Sequence, residues 1–204
     1  MIAWGIVPVK CLAGAKSRLA PVLSLRQRRR LVLSLLTRTL AILRAVRQIE
    51  GVLVVSKDPA VRRIARKAGA GFILERAHDG LNRAVARASS EAVGHGAKAV
   101  LVLPADLPLI SPREIRAAIR AAGKPPAVVV APDRADRGTN LLLMTPPGII
   151  PFQFGKDSSR RHLAAARQAG AKPIRLHLQL AAEDVDCPDD LLIVQDLGWE
   201  GFDL

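Results

Sequence analysis

The chain has 204 residues, half of them apolar, and carries 31 lysines and arginines against 18 acids, a net charge of +13. That is enough apolar material for the core of one domain spanning residues 1–204, and it excludes wholesale disorder. Cys11 and Cys187 are too few for a disulfide framework and fit no zinc spacing. No apolar run approaches the ~20 residues of a membrane span, and the opening MIAWGIVPVK lacks the basic start and cleavage-type end of a signal peptide, so a cytoplasmic protein is expected.

In chain order, IAWGIVPV at 2–9 reads as a buried strand and the Gly-, Pro- and cation-bearing stretch 10–23 as a loop. Ser24-x-x-Gln27 is a capping box that opens a helix running to about Val46, with leucines at helical spacing. GVLVVS at 51–56 is a second strand. Asp58-Pro59 caps a helix that stops near Gly69, and GFIL at 71–74 is a third strand. The Ala-rich 82–93 is helical and AVLVLP at 99–104 is the most strand-like run. Ser111 to Glu114 reads as another capping box, opening a helix closed by Gly123. AVVVAP at 127–132, LLLM at 141–144 and PIRLHL at 173–178 are strands. Asp157 or Ser158 starts a helix ending at Gly170, and Pro188 starts a last short one. Continuous apolar strands alternating with helices mean a single α/β domain, a three-layer sandwich around a mostly parallel sheet. In such sheets ligands sit beyond the carboxyl ends of the strands.

The loops there hold the polar chemistry. Residues 8–19, PVKCLAGAKSRL, combine small residues with Lys10, Lys16 and Arg18, a set suited to phosphates, although the P-loop spacing is absent. Asp106 stands between Pro104 and Pro108 just beyond the best strand, as a candidate Mg²⁺ ligand or a turn cap. Five carboxylates fall within residues 183–190. Asp189 and Asp190 suit the first turn of a helix, whereas Asp184 and Asp186 share one face of an extended segment, where one of them can pair with Asp106 around a divalent cation. Asp79-Gly80-Leu81-Asn82 precedes a helix, with Asn82 either an N-cap or a contact to base or ribose. Gly155 to Arg161 leads into a helix N-terminus rich in hydroxyls and cations, an oxyanion site or ordinary capping by Ser158. His162 reads as a solvated helix residue. His78, His95 and His177 suggest no metal, and Trp4 and Trp199 read as packing residues.

In that order, Ile6 to Lys10 with Ala15 to Leu19, Leu103 to Pro108, Ala131 to Arg134, Gly138-Thr139-Asn140, Phe154-Gly155 with Ser158, and Asp184-Val185-Asp186 before Pro188 resemble the guanylyltransferases of coenzyme F-420 biosynthesis. That family acts on 2-phospho-L-lactate or, in some bacteria, phosphoenolpyruvate. The resemblance spans residues 2 to about 193. It implies a nucleotide-diphospho-sugar transferase-like fold and transfer of GMP from GTP to the phosphate of a three-carbon acid, with release of pyrophosphate. It implies Mg²⁺ held by Asp106 and Asp186, with Glu75 joining through water. It also implies that Lys10, Lys16 and Arg18 meet the GTP phosphates, that Gly80 and Asn82 lie on the nucleotide, and that Thr139, Asn140, Gly155 and Ser158 hold the acceptor. Partners so implied are GTP, the phospho-acid, the next transferase of the pathway and a second copy of the chain. Cys187 departs from the family's usual Thr, which weakens a cap beside Asp186. The tail from about 194 carries no motif.

Two other readings compete. A related nucleotidyltransferase would act on molybdopterin or a sugar with CTP or ATP as donor, but the basic loop lacks the glycine-rich spacing usual there. A basic nucleic-acid-binding module would explain the charge, but neither an aromatic stacking platform nor a nucleic-acid motif accompanies it. Arginine is also the solubilising residue of this composition, so charge alone names no partner. Phosphoenolpyruvate, 2-phospho-L-lactate and 3-phospho-D-glycerate all remain open as acceptors.

Overall fold

A computed structural model describes residues 2–76 and 80–201. Seven strands form one sheet in the order β3-β2-β1-β4-β6-β5-β7. They are β1 Ala3–Pro8, β2 Ile49–Ser56, β3 Gly71–Leu74, β4 Ala99–Val102, β5 Ala127–Pro132, β6 Thr139–Thr145 and β7 Lys172–Arg175. Only β6 opposes the others in direction, pairing antiparallel with β4 and β5. The sheet is mostly parallel, as expected. The last strand stops at Arg175, three residues short of its expected end, although Leu176 N still donates to Val130 O.

The helices are α1 Leu25–Arg44, α2 Pro59–Lys67, α3 Gly80–Gly94, α4 Pro112–Ala122, α5 Ser158–Gln168 and α6 Pro188–Asp196. Alternation along each strand sends side chains to opposite faces. In β4, Ala99 and Leu101 join the core under α1, α2 and α4, while Val100 and Val102 join the one under α3 and α5. A third apolar cluster lies off the sheet. Leu19 and Leu23 of the loop after β1, Leu31 and Leu35 of α1, and Val185, Val194 and Trp199 of the C-terminal region pack together. Trp199 thus has a packing role, in a tail whose sequence carries no motif, and this cluster draws the two ends of the chain to one place.

The Ser24–Gln27 box is formed, with Gln27 N donating to Ser24 Oγ at 3.3 Å and Ser24 N to Gln27 Oε1 at 2.9 Å. The one expected at Ser111 is half made. Ser111 Oγ accepts from Glu114 N, but the Glu114 carboxylate reaches away and accepts from Leu180 N at 2.9 Å and Ala181 N at 3.3 Å. Two distant amides, with no other partner among the described residues, outcompete the local return bond, and the residues ahead of Asp184 are pinned as a result. No helix among the described residues is long and apolar enough to cross a membrane.

Candidate active site

β1 and β4 are neighbours, and the chain leaves them toward opposite edges of the sheet: β2 and β3 lie on one side, β6, β5 and β7 on the other. The crevice beyond their carboxyl ends is the switch point at which such sheets bind ligands. The loop after β1 enters it as two short 3-10 turns, Leu12–Gly14 and Ser17–Leu19, where its Gly, Pro and cations predict plain loop. Leu12 and Leu19 are fully buried and anchor them, each worth about 1.5–3 kcal/mol of burial. Between the turns Lys16 adopts a left-handed conformation at φ 46°. Its neighbours are braced. Asp58 Oδ2 accepts from Leu12 N at 3.1 Å while its Oδ1 caps α2 through Ala60 N, and Arg28 donates to Ala15 O at 2.9 Å. The Lys16 side chain is thereby aimed across the crevice, and its Nζ lies 2.7 Å from Asp106 Oδ2 and 2.6 Å from Asp186 Oδ1.

Each carboxylate is held in turn. Arg38 of α1 donates to Pro108 O at 2.6 Å and braces the Asp106 loop. Asp106 O accepts from Val185 N at 3.1 Å, which ties that loop to the segment bearing Asp186. Asp190, 8% exposed, accepts through Oδ2 from Asp186 N at 2.9 Å and Cys187 N at 2.8 Å, and through Oδ1 from Arg134 at 3.0 Å. The helix-terminal brace expected to suffer from Cys187 is therefore supplied by the Asp190 carboxylate to the backbone. Arg134 also donates to Glu183 at 3.0 Å. Asn140 donates to Ala181 O at 3.0 Å and to Asp184 Oδ1 at 3.3 Å, so its amide shapes the acidic segment from behind.

The electrostatics follow the geometry. Burial would lower the Lys16 pKa, but the charges of Asp106 and Asp186 outweigh it and hold the ammonium protonated well above the usual lysine range. Burial would raise that of Asp106, and the Lys16 ammonium, with help from the charge of Lys10, brings it below the usual carboxylate range instead. Asp184 is pushed up to about 6 by burial, reinforced by the charges of Asp106 and Asp186 against the bond from Asn140.

Asp106 and Asp186 converge on one point, and a cation, the Lys16 ammonium, stands there. Among the described residues no group of three or more His, Cys, Asp or Glu gathers as a complete metal cage. Two carboxylates with the remaining positions left to substrate oxygens is the donor set Mg²⁺ prefers. The residues present therefore fit that ion. Glu75 is not brought to them. It follows β3 at the sheet edge, three strands from β4, roughly 14 Å away at normal strand spacing.

On the other side of β4, Thr139 opens β6 and Ser158 opens α5, and their hydroxyls meet at 3.0 Å. Ser158 Oγ is thus turned to Thr139 and does not cap its helix. Asp157, at the capping position, is left-handed at φ 53° and makes no side-chain cap. Gly155, at φ 126°, occupies a conformation closed to other residues, and its carbonyl accepts from Ser158 N at 3.2 Å. His162 is fully buried, not solvated as its place in a helix suggested, because α5 lays that face on the sheet. Asn82 spends both ends of its amide on Phe154, donating to its carbonyl at 3.2 Å and accepting from its N–H at 2.7 Å. That ties α3 to the Gly155 loop and leaves the Asn82 amide occupied by protein. Gly80, exposed at φ 62°, begins α3 beyond the end of β3. Lys10 and Arg18 are exposed on the loop after β1. His78 and Asp79 lie outside the described residues.

A sheet with this strand order and a site at its switch point place the protein among the α/β proteins that bind ligands beyond the carboxyl ends of their strands. A nucleotide-diphospho-sugar transferase of Desulfovibrio desulfuricans, itself described as putative, superposes with a TM-score of 0.77, covering 98% of this chain and 89% of its own at 16% identity. The chain belongs to the family described as "Guanylyl transferase CofC like", whose model matches residues 3–198. It is 44% identical over 191 residues to the phosphoenolpyruvate guanylyltransferase of Rubrobacter xylanophilus, covering 94% of this chain and 92% of the relative. It is 34% identical over 186 residues to the 3-phospho-D-glycerate guanylyltransferase of Colwellia psychrerythraea, covering 91% and 88%.

Proposed function

We propose that the protein transfers GMP from GTP to the phosphate of a small phospho-acid, with Mg²⁺ held by Asp106 and Asp186. Phosphoenolpyruvate is the leading acceptor, given the relative at 44% identity; 3-phospho-D-glycerate is the second, given the one at 34%. The observation that carries the reading is the convergence of Asp106 and Asp186 on one cation position at the switch point of the sheet.

A phosphate oxygen of the acceptor attacks the α-phosphorus of GTP. The bond from that phosphorus to the oxygen bridging the β-phosphorus breaks, and pyrophosphate leaves with the electron pair. The attacking oxygen is already ionised at neutral pH, so neither a covalent nucleophile nor a general base is needed. What the protein must supply is in-line positioning and neutralisation of the charge brought together by two polyanions. Bound Mg²⁺ supplies charge neutralisation and orients the phosphate oxygens. Lys16, carried on a rigidly braced loop, presents ammonium donors to the same oxygens, and exposed Lys10 and Arg18 flank it. Thr139 and the loop at Gly155 receive the acceptor's anionic groups beside the start of α5, with Ser158 held against Thr139.

The test is pyrophosphate release from GTP and Mg²⁺ with phosphoenolpyruvate, 2-phospho-L-lactate and 3-phospho-D-glycerate in separate reactions, with ATP and CTP as donor controls. Release is expected with GTP and a phospho-acid together and with neither alone, and Asp106→Asn abolishes it. An active Asp106→Asn enzyme removes the metal assignment, and preference for CTP or ATP overturns the donor.

A further inference from the structure

Beneath the Thr139–Ser158 pair lies a buried polar chain that the reaction above does not use. His162 Nε2 accepts a hydrogen bond from Gln153 N at 2.9 Å, so that nitrogen carries a lone pair. The one N–H of the neutral ring must then sit on Nδ1. Nδ1 is 3.1 Å from Thr139 Oγ1 and donates to it. Ser158 Oγ donates to the same oxygen at 3.0 Å. A hydroxyl oxygen has two lone pairs and one proton. Both lone pairs of Thr139 are thus filled from within the protein, and what remains is its own proton.

We propose that His162 is a positioning residue for the acceptor: with Ser158 it fills the lone pairs of Thr139 and so commits that hydroxyl to donating toward the substrate's phosphate or carboxylate. The inference rests on the reading of this pocket as the acceptor site. An ionised phosphate or carboxylate offers only acceptors, and a hydroxyl free to rotate would present it a lone pair part of the time. Preorganised donors avoid that cost.

Two features keep the arrangement in place. Burial, with the nearby charge of Arg161, lowers the ring's pKa to about 4, so it is neutral in the physiological range. The Phe154 ring meets it edge-on at 5.1 Å and 70°, which fixes the imidazole plane. The same histidine holds Gln153, two residues before Gly155, so one side chain sets both the hydroxyl and the loop of the pocket.

The experiment measures KM for GTP and for phosphoenolpyruvate separately in the wild type, His162→Phe, His162→Gln, Thr139→Val and the Thr139→Val/His162→Phe double variant. His162→Phe is expected to raise the acceptor KM at least tenfold while the GTP KM stays within twofold. His162→Gln, whose amide can both accept from Gln153 and donate to Thr139, is expected to regain much of that loss. In the Thr139→Val background, His162→Phe is expected to add little, because the hydroxyl it orients is gone. The proposal is overturned if both KM values rise together, if Gln is no better than Phe, or if the single effects multiply. A second readout needs no turnover. The ¹⁵N NMR spectrum of the wild-type imidazole is expected to show the Nδ1–H tautomer and to shift when phosphoenolpyruvate is added. An Nε2–H tautomer, or an unresponsive ring, overturns the proposal. Absence of turnover with every phospho-acid would instead count against the reading of the site, and the NMR result still decides the role of His162.

Discussion

Of the two acids that open α6, only Asp190 should matter, and the structure sets the size of the difference. Its Oδ2 accepts the Asp186 and Cys187 amides at 2.9 and 2.8 Å, and its Oδ1 accepts from Arg134 at 3.0 Å. Hydrogen bonds to a buried charge contribute about 1.5–3 kcal/mol each, and the half-exposed arginine pair about 0–1. Water recovers part of this once the carboxylate is gone, so Asp190→Ala should cost about 3 kcal/mol. At about 2–4 °C per kcal/mol for a chain of this size, the melting temperature should fall by about 6–12 °C. Asp190→Asn should cost about half as much. Its one oxygen can occupy the Oδ2 position and keep both amides, while its NH₂ is turned toward Arg134. Asp189, exposed in the same turn, has only the helix dipole to complement, about 0.3–1 kcal/mol.

Activity adds a second axis. Freeing the amide of Asp186 unseats the carboxylate that meets Lys16, so kcat/KM for Asp190→Ala should fall at least tenfold at a temperature where the variant is fully folded. Thermal unfolding by circular dichroism and steady-state pyrophosphate release measure the two effects. Melting of Asp190→Ala within 2 °C of the wild type, or equal losses for Asp189→Ala and Asp190→Ala, would refute the argument that this carboxylate braces the site.

Lys16→Met should lower kcat/KM by about 10²–10³, the range for loss of one preorganised donor, and should enlarge the rise in melting temperature on adding Mg²⁺, since two carboxylates are left facing each other; an equal rise in both proteins would contradict it. His162 should make the metal-free protein less stable in acid. The unfolded chain takes its proton near pH 6.5 and the folded one only near pH 4, so about 3 kcal/mol present above pH 6.5 is lost on the way down to 4. Asp184, raised to about 6 in the fold, acts with the opposite sign over about pH 6 to 3.8, so the His162 contribution is read as the difference between wild type and His162→Gln in how the urea-unfolding free energy changes with pH; identical pH dependence would remove it. Gly155→Ala forces a β-carbon onto φ 126°, at a cost of about 1–3 kcal/mol, and should raise the acceptor KM more than that of GTP; unchanged melting and KM values would show that the loop's shape is not demanded.

The strands and helices were legible because each carries its own period: the continuous apolar runs are the parallel strands, and Ser24, Asp58 and Pro188 mark helix starts where the structure has them. The reversed direction of β6 was not, since LLLM has the same apolar run in either sense. Asp106, Asp186 and Lys16 were legible as candidates from residue type and place after strands, but their meeting point was not. Lys16 and Asp186 are 170 residues apart, and the apolar cluster of Leu19, Leu31, Val194 and Trp199 brings them together. The residues that hold the site escaped for the same reason. Asp58 reads as a helix cap and Glu114 as half of a capping box, yet their second bonds go to Leu12 and Leu180, 46 and 66 residues away. His162 offered a partial signal, a histidine one turn beyond Ser158 and so on the same helical face. Glu75 entered through the family resemblance alone, and strand order puts β3, which it follows, three strands from β4.

The basic excess and the acidic centre act over different distances, and salt separates them. Lys16 is 10% exposed and in direct contact with both carboxylates, so salt screens that contact less than it screens charges acting through solvent. Lys10, Arg18, Lys156 and Arg160 are exposed around the crevice and act on an approaching anion through solvent. There the screening length is about 10 Å at 0.1 M salt and about 3 Å at 1 M. A polyanionic nucleotide attracted by that rim should therefore bind more weakly as potassium chloride rises from 0.05 to 0.5 M, with GTP KM increasing several-fold. The chemical step depends on contacts already formed, so kcat should change less than twofold. A kcat that falls as steeply as KM rises would mean that the working charges are themselves exposed, against the burial of Lys16. A GTP KM indifferent to salt would mean that the surplus arginine and lysine serve solubility alone.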